Sequence, residues 1–148
     1  MAWKDPVYVP LYYKERGIIK AQEQVEEIFE EYCKENNIEG IALTSKNGIP
    51  IASFLNKTEQ SESFSTLSAT IMGASEVIFS SFEKNNPDLI TANSDDSVLL
   101  IKEMGTNAVL SLIGDLDKKE EMIDMIDEII EEIDVLEKAS EIKEVFEK

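Results

Sequence analysis

The tightest constraint on this chain is a turn. Asn47-Gly48 stands between two short apolar runs, Ile41-Ala-Leu-Thr and Ile49-Pro-Ile-Ala-Ser-Phe. Both turn residues accept positive φ, and such a pair between apolar segments is the strongest short-range signal for a β-hairpin. A hairpin over 41–54 commits the chain to a sheet. Pro50 has no N–H to give to a ladder, so the returning strand belongs at an edge or turns that position outward.

The flanking segments extend this frame. Val25, Ile28, Phe29 and Tyr32 recur three and four apart, which predicts a helix from Ile18 to about Glu35 with one buried face. Asn36, Asn37 and Gly40 supply its stop. A second helix is predicted from about Ser63, ending before Asn85-Asn86-Pro87. Leu89 to Ala92, Val98 to Met104 and Ala108 to Ile113 then read as strands, separated by turns at Asp95-Asp96 and Gly105 to Asn107. The last two strands are apolar on both faces and so need cover on both sides. The predicted fold is α/β, a three-layer α-β-α sandwich in the order α-ββ-α-βββ-α.

The two ends stand apart from this central region, 18–136. Residues 1–17 hold Trp3, Tyr8, Tyr12 and Tyr13 among Pro6, Pro10 and Gly17, a mixture that suits an extended arm. Four aromatic residues in such an arm either cover an apolar patch of their own domain or recognise a second chain. At the other end Asp117 and Glu120 resemble a capping box. Met122, Ile126, Ile129, Ile133 and Leu136 follow at steps of four and three, as in a helix packed on its own sheet or a coiled-coil seam. Residues 137–148 form an acidic helical extension, and a helix unbroken to Lys148 would either break near Ala139-Ser140 or project.

Composition removes whole classes of function. The 148 residues carry a net charge of −17 and include no histidine, which excludes Ser-His-Asp and Cys-His catalysis. Cys33 is the single cysteine, so an intramolecular disulfide is excluded. Nucleic acid and anionic membrane surfaces call for a concentration of Lys and Arg that is missing. The scattered glycines make neither GxxxxGK[ST] nor GxGxxG. Asp95-Asp96 reads as a turn rather than a metal pair, and the acidic run after Asp115 as a solvated helix face. No cofactor or catalytic residue is predicted. The chain has no apolar run of membrane-spanning length, and Met1-Ala-Trp-Lys-Asp-Pro lacks the apolar block of a signal peptide, so the expected location is the cytoplasm.

What remains informative is the second helix. Phe64, Leu67, Ile71, Ala74, Ile78 and Phe82 form a stripe expected to face the sheet. Met72 and Phe79 make an apolar shoulder beside it, and Thr66, Ala69, Gly73, Val77 and Ser80 a flank of mostly small residues. Gly73 in a helix interior costs about 1 kcal/mol relative to Ala, which close approach of another backbone would offset. A second subunit or partner is the expected cover, with the N-terminal arm as the alternative. The short strand Leu89-Ile90-Thr91-Ala92 offers a further means of association, by edge pairing.

The stretch Glu39-Gly-Ile-Ala-Leu-Thr-Ser-Lys-Asn-Gly-Ile-Pro-Ile-Ala-Ser53 resembles the opening hairpin of the roadblock/dynein light chain family, and the small-residue helix and the 98–104 and 108–114 strands continue the resemblance. It implies a profilin-like domain with a five-stranded antiparallel sheet that forms a homodimer. It also implies a non-catalytic scaffold or regulator of a Ras-like small GTPase, with Thr66, Ala69, Gly73, Val77, Ser80 and Leu89 to Ala92 as the dimer face. Partner contacts are then expected at Met72 and Phe79 or at Trp3, Tyr8, Tyr12 and Tyr13. Arg16, the only arginine, lies outside the minimal domain, which weighs against an arginine finger. A small-ligand sensor with a cavity under Phe64 and Ile71 is the competing reading. An adaptor of motor or membrane-signalling complexes that uses no GTPase is another.

Overall fold

The computed structural model describes the backbone of residues 8–56 and 61–147, with side chains over 21–56 and 63–138. The elements are α1 (Tyr8–Asn36), β1 (Gly40–Ser45), β2 (Pro50–Leu55), α2 (Ser61–Ser81), β3 (Leu89–Asn93), β4 (Ser97–Met104), β5 (Ala108–Asp115) and α3 (Lys119–Glu147). Their order is the predicted α-ββ-α-βββ-α. The five strands form one antiparallel sheet in the spatial order β2-β1-β5-β4-β3.

Strand alternation explains the layers. Ile41 and Leu43, Leu110 and Leu112, and Val98 and Leu100 point to one face, where Phe29 and Cys33 of α1 and Met122, Ile126, Ile129 and Ile133 of α3 cover them. The α3 spacing therefore serves the protein's own sheet and not a coiled coil. The opposite face presents Ala42 and Thr44 on β1, Val109 and Ser111 on β5, and Leu99 and Ile101 on β4. It is covered by α2, and its buried apolar cluster is small: Met72, Ile101 and Val109, with Ile90 and Leu99 packed against them.

The hairpin is built on a different turn from the one expected. Gly48 takes φ +88°, but Asn47 is not in the left-handed region. Ser45 carbonyl accepts from the Gly48 N–H at 2.9 Å, and Ser45 N–H donates to Ile49 carbonyl at 2.9 Å. One left-handed glycine thus ends the turn, and farther along the ladder the register slips between Leu43 and Thr44, where Ile51 is the extra residue of a bulge. Pro50 lies on an edge strand, as its missing donor requires.

Both terminal helices differ from expectation. α1 begins at Tyr8, where an extended arm is predicted to Gly17. Pro10 falls in its first turn, where N–H groups have no intrahelical acceptor, and a single glycine is tolerated inside a long helix. α3 runs unbroken through Ala139-Ser140 for 29 residues, about 43 Å at 1.5 Å per residue. The boundaries drawn at 17 and 136 thus fall inside helices. The capping box is absent too: residues 116–118 form a 3₁₀ turn preceded by Asp115, which makes no side-chain cap. Asn37, at φ 54°, ends α1 as predicted, and α2 ends through Glu83 at φ 58°.

Candidate functional site

The surface of interest is built by α2 and the sheet beneath it. The sheet offers α2 two hydroxyls, Thr44 and Ser111, together with Ala42, so this face lets the helix come close but gives it little apolar surface to pack on. The residues that α2 lays on this face are Ser65, Ser68, Ala69 and Met72, all buried. Ser65, Ser68 and Met72 each come one position after a residue of the expected stripe, Phe64, Leu67 and Ile71, so the helix is rotated by about 100° from the predicted orientation.

Consequently the stripe is displayed and not hidden. Leu67 is 60% exposed, Ile78 56% and Phe82 74%, and Ile71 is also exposed. Thr66 Oγ1 donates to the Gly48 carbonyl at 3.3 Å and Glu76 meets Lys46 at 3.1 Å, so that flank of α2 looks toward the hairpin turn. The opposite flank, with Leu67, Ile71 and Ile78, looks along the strands toward their other end. There Leu99, Ile113 and Leu55 share the α2 face of the sheet and are only partly buried, as is Ile90 on β3. Helix flank and bare sheet together form an apolar corner.

Two predicted contact residues are removed by this geometry. Met72, expected on a partner-facing shoulder, is fully buried on Ile101 and Val109. Ala69, assigned to the dimer face, is buried on the protein's own sheet. Thr66, Gly73, Val77 and Ser80 are exposed, Phe79 is 40% exposed, and a Cβ at Gly73 would meet nothing within 4 Å. Leu89 and Ile90 are partly buried, and Thr91 and Ala92 exposed. Tyr8, Tyr12, Tyr13 and Arg16 lie within α1, although their side chains, like all of Trp3, fall outside the described residues. Leu67, Ile71 and Ile78 are the surface residues that periodicity misplaced. The usable signal was in the strands, where Thr44 ends one apolar run and Ser111 interrupts another, leaving this sheet face less apolar than the other.

The two sheet edges are unequal. On β2 the Ser53 N–H, which points away from β1, donates to the Glu26 carboxylate of α1 at 3.1 Å. Pro50 and this carboxylate make β2 a poor template for a further strand. β3 carries no such cover over Thr91 to Asn93, all exposed.

Electrostatic links fasten the turn side of α2. The Lys46 ammonium donates to Glu76 of α2 at 3.1 Å and to Glu103 of β4 at 2.8 Å, and these partners hold its pKa above the usual lysine value. Asn86 donates to the same Glu76 at 3.0 Å. In the β3–β4 turn, hydrogen bonds from Ser94 and Ser97 lower the Asp96 pKa, in keeping with a turn-forming role. Far from α2, a groove of about 500 Å³ between α1 and α3 is lined mainly by carboxylates, including Glu31, Glu35, Glu121 and Glu128. It lies on the side opposite the cavity expected under Phe64 and Ile71. Among the described residues no three His, Cys, Asp or Glu are grouped to hold a metal ion, and no helix is long and apolar enough to cross a membrane.

Comparison with known proteins agrees with this architecture. The Roadblock/LC7 domain family model matches residues 24–114. Among solved structures, MglB of Myxococcus xanthus superposes with a TM-score of 0.70 at 18% identity, over 80% of this chain and 90% of that one. Gliding protein MglB of Thermus thermophilus gives 0.63 at 20% identity, covering 76% and 90%. A Roadblock/LC7 domain of Streptomyces avermitilis gives 0.61 at 9% identity, covering 65% and 82%. No curated protein sequence matches significantly.

Proposed function

Because this chain belongs to the Roadblock/LC7 domain family, we propose that it is a cytoplasmic, non-catalytic homodimer that binds and regulates a Ras-like small GTPase or scaffolds its complex. One observation carries the dimer: the apolar corner of Leu67, Ile71 and Ile78 over a half-bare sheet, beside the open β3 edge. A twofold pairing of β3 with its copy would continue the sheet and bring the two α2 flanks together. The seam then runs along Leu67, Ile71 and Ile78 with Leu89 to Ala92. The GTPase is assigned to the flank on the hairpin-turn side, at Thr66, Gly73, Val77 and Ser80; Phe79 lies about 130° around the helix from them and forms a separate exposed spot near its end. The resemblance to GTPase regulators supports that assignment, and so does a surface nearly free of charge in a chain of −17.

The test has two stages. Light scattering on the purified protein should give twice the chain mass, and Leu67→Asp should give a monomer that keeps its helical circular dichroism. A wild-type monomer at all concentrations removes the premise. Pull-down of a Ras-like GTPase in its GDP and GTP forms should then show binding that Val77→Glu abolishes while the dimer persists. Equal binding by the variant would move the GTPase to another surface.

A further inference from the structure

α2 is turned the wrong way round for a helix that holds itself in place. Its sheet side contributes Ser65, Ser68 and Ala69 and one large anchor, Met72, while its exposed side carries Leu67, Ile71, Val77, Ile78 and Phe82. The hydroxyls of Thr44, Ser65 and Ser111 are buried at this contact and, among the described residues, none hydrogen-bonds to another protein group. Thr44 and Ser111 lie diagonally across β1 and β5 on the same face. Hydroxyls buried without a protein partner add little to docking, because no hydrogen bond across the contact offsets the bulk water they give up. Docking rests on a cluster of three fully buried apolar residues and the links from Lys46, Thr66 and Asn86 at the turn side. Those links are part-exposed and compete with water. On the other face a continuous cluster unites α1, α3 and four strands.

We infer that α2 is a conditionally docked element, seated only weakly on its own sheet until a second copy of the chain covers its outer flank. This rests on the dimer reading above. Association and docking are then linked: a second copy that binds only the docked form shifts α2 toward it, and anything that loosens α2 weakens the dimer. A surface presented by α2 would exist in full only in the assembled protein.

Hydrogen exchange on the full chain, above and below the association midpoint and in Leu67→Asp, tests this directly. In the dissociated protein the α2 amides of 65–81 should exchange at least tenfold faster than the α3 amides of 122–133, and association should slow α2 at least tenfold more than α3. Equal protection of α2 and α3 in the dissociated protein would overturn the inference. Light scattering on the same samples keeps the two readings apart: without association at any concentration the dimer fails and the coupling with it, whereas a dimer whose monomer keeps α2 protected removes the coupling alone. Thr44→Val and Ser111→Ala supply a second measure. Each should slow α2 exchange in Leu67→Asp severalfold, and acceleration would count against the proposal, since it would mean the hydroxyls favour docking.

Discussion

Gly40 and Gly48 have different work, and substitution separates them. A Cβ at Gly40 would collide with the end of the Leu55 side chain, whereas at Gly48 it would meet Thr66 at ordinary contact distance but φ is +88°. Gly40→Ala should therefore destabilise by only about 1 kcal/mol, since the end of the partly buried Leu55 side chain can turn aside, and Gly48→Ala by about 1 kcal/mol through backbone strain. Urea unfolding of each checks these values. Gly48 was legible in the sequence because a turn needs left-handed backbone at a known place. Gly40 reads as part of a helix stop from sequence alone, since its neighbour Leu55 is brought beside it only by strand pairing. Asn47 looked equally bound to positive φ, yet the turn lets Gly48 bear it alone.

At the level of elements, α2 separates stability from association. Met72→Ala removes its one large anchor and should destabilise the associated protein by about 2–5 kcal/mol, measured by urea unfolding against the wild type at one fixed protein concentration well above the association midpoint. Leu67→Asp by itself, on the displayed flank, should leave monomer stability within about 0.5 kcal/mol while removing the dimer. The helix itself was readable from Phe64 to Phe82; which side faced the sheet was not. Periodicity finds the more apolar side and assigns it to the core. Here the sheet face under α2 is small and hydroxylated and gives the helix little apolar surface to pack on; the helix seats its small residues there and shows its large ones. α1 and α3 present no such conflict, since Val25, Phe29, Ile126 and Ile129 meet a sheet face that is itself large and apolar.

For the whole molecule, the groups that titrate at alkaline pH point one way. Burial pushes the Cys33 thiol up to about 12, burial and Glu132 raise the Tyr32 phenol, and carboxylate partners raise Lys46 and Lys102. In each case the folded state holds its proton more firmly than the unfolded chain, so the stability it contributes is full below the unfolded pKa and is lost as pH rises through the folded one. Thermal melting should hold steady between about pH 6 and 8 and fall from about pH 9, where the unfolded thiol begins to ionise. Cys33→Ala should start that fall nearer pH 10; a melting temperature unchanged to pH 11 would contradict the assignment. The sequence by itself determined the order of elements, the edge position of the Pro50 strand, the apolar faces of α1 and α3 and the family, because these follow from local periodicity and turn chemistry. Only the tertiary structure decided the rotation of α2, the burial of Ala69 and Met72, and the corner formed by Leu67, Ile71 and Ile78. Those depend on which side chains the sheet sets opposite a helix, and strands distant in sequence, β1 and β5, settle that together.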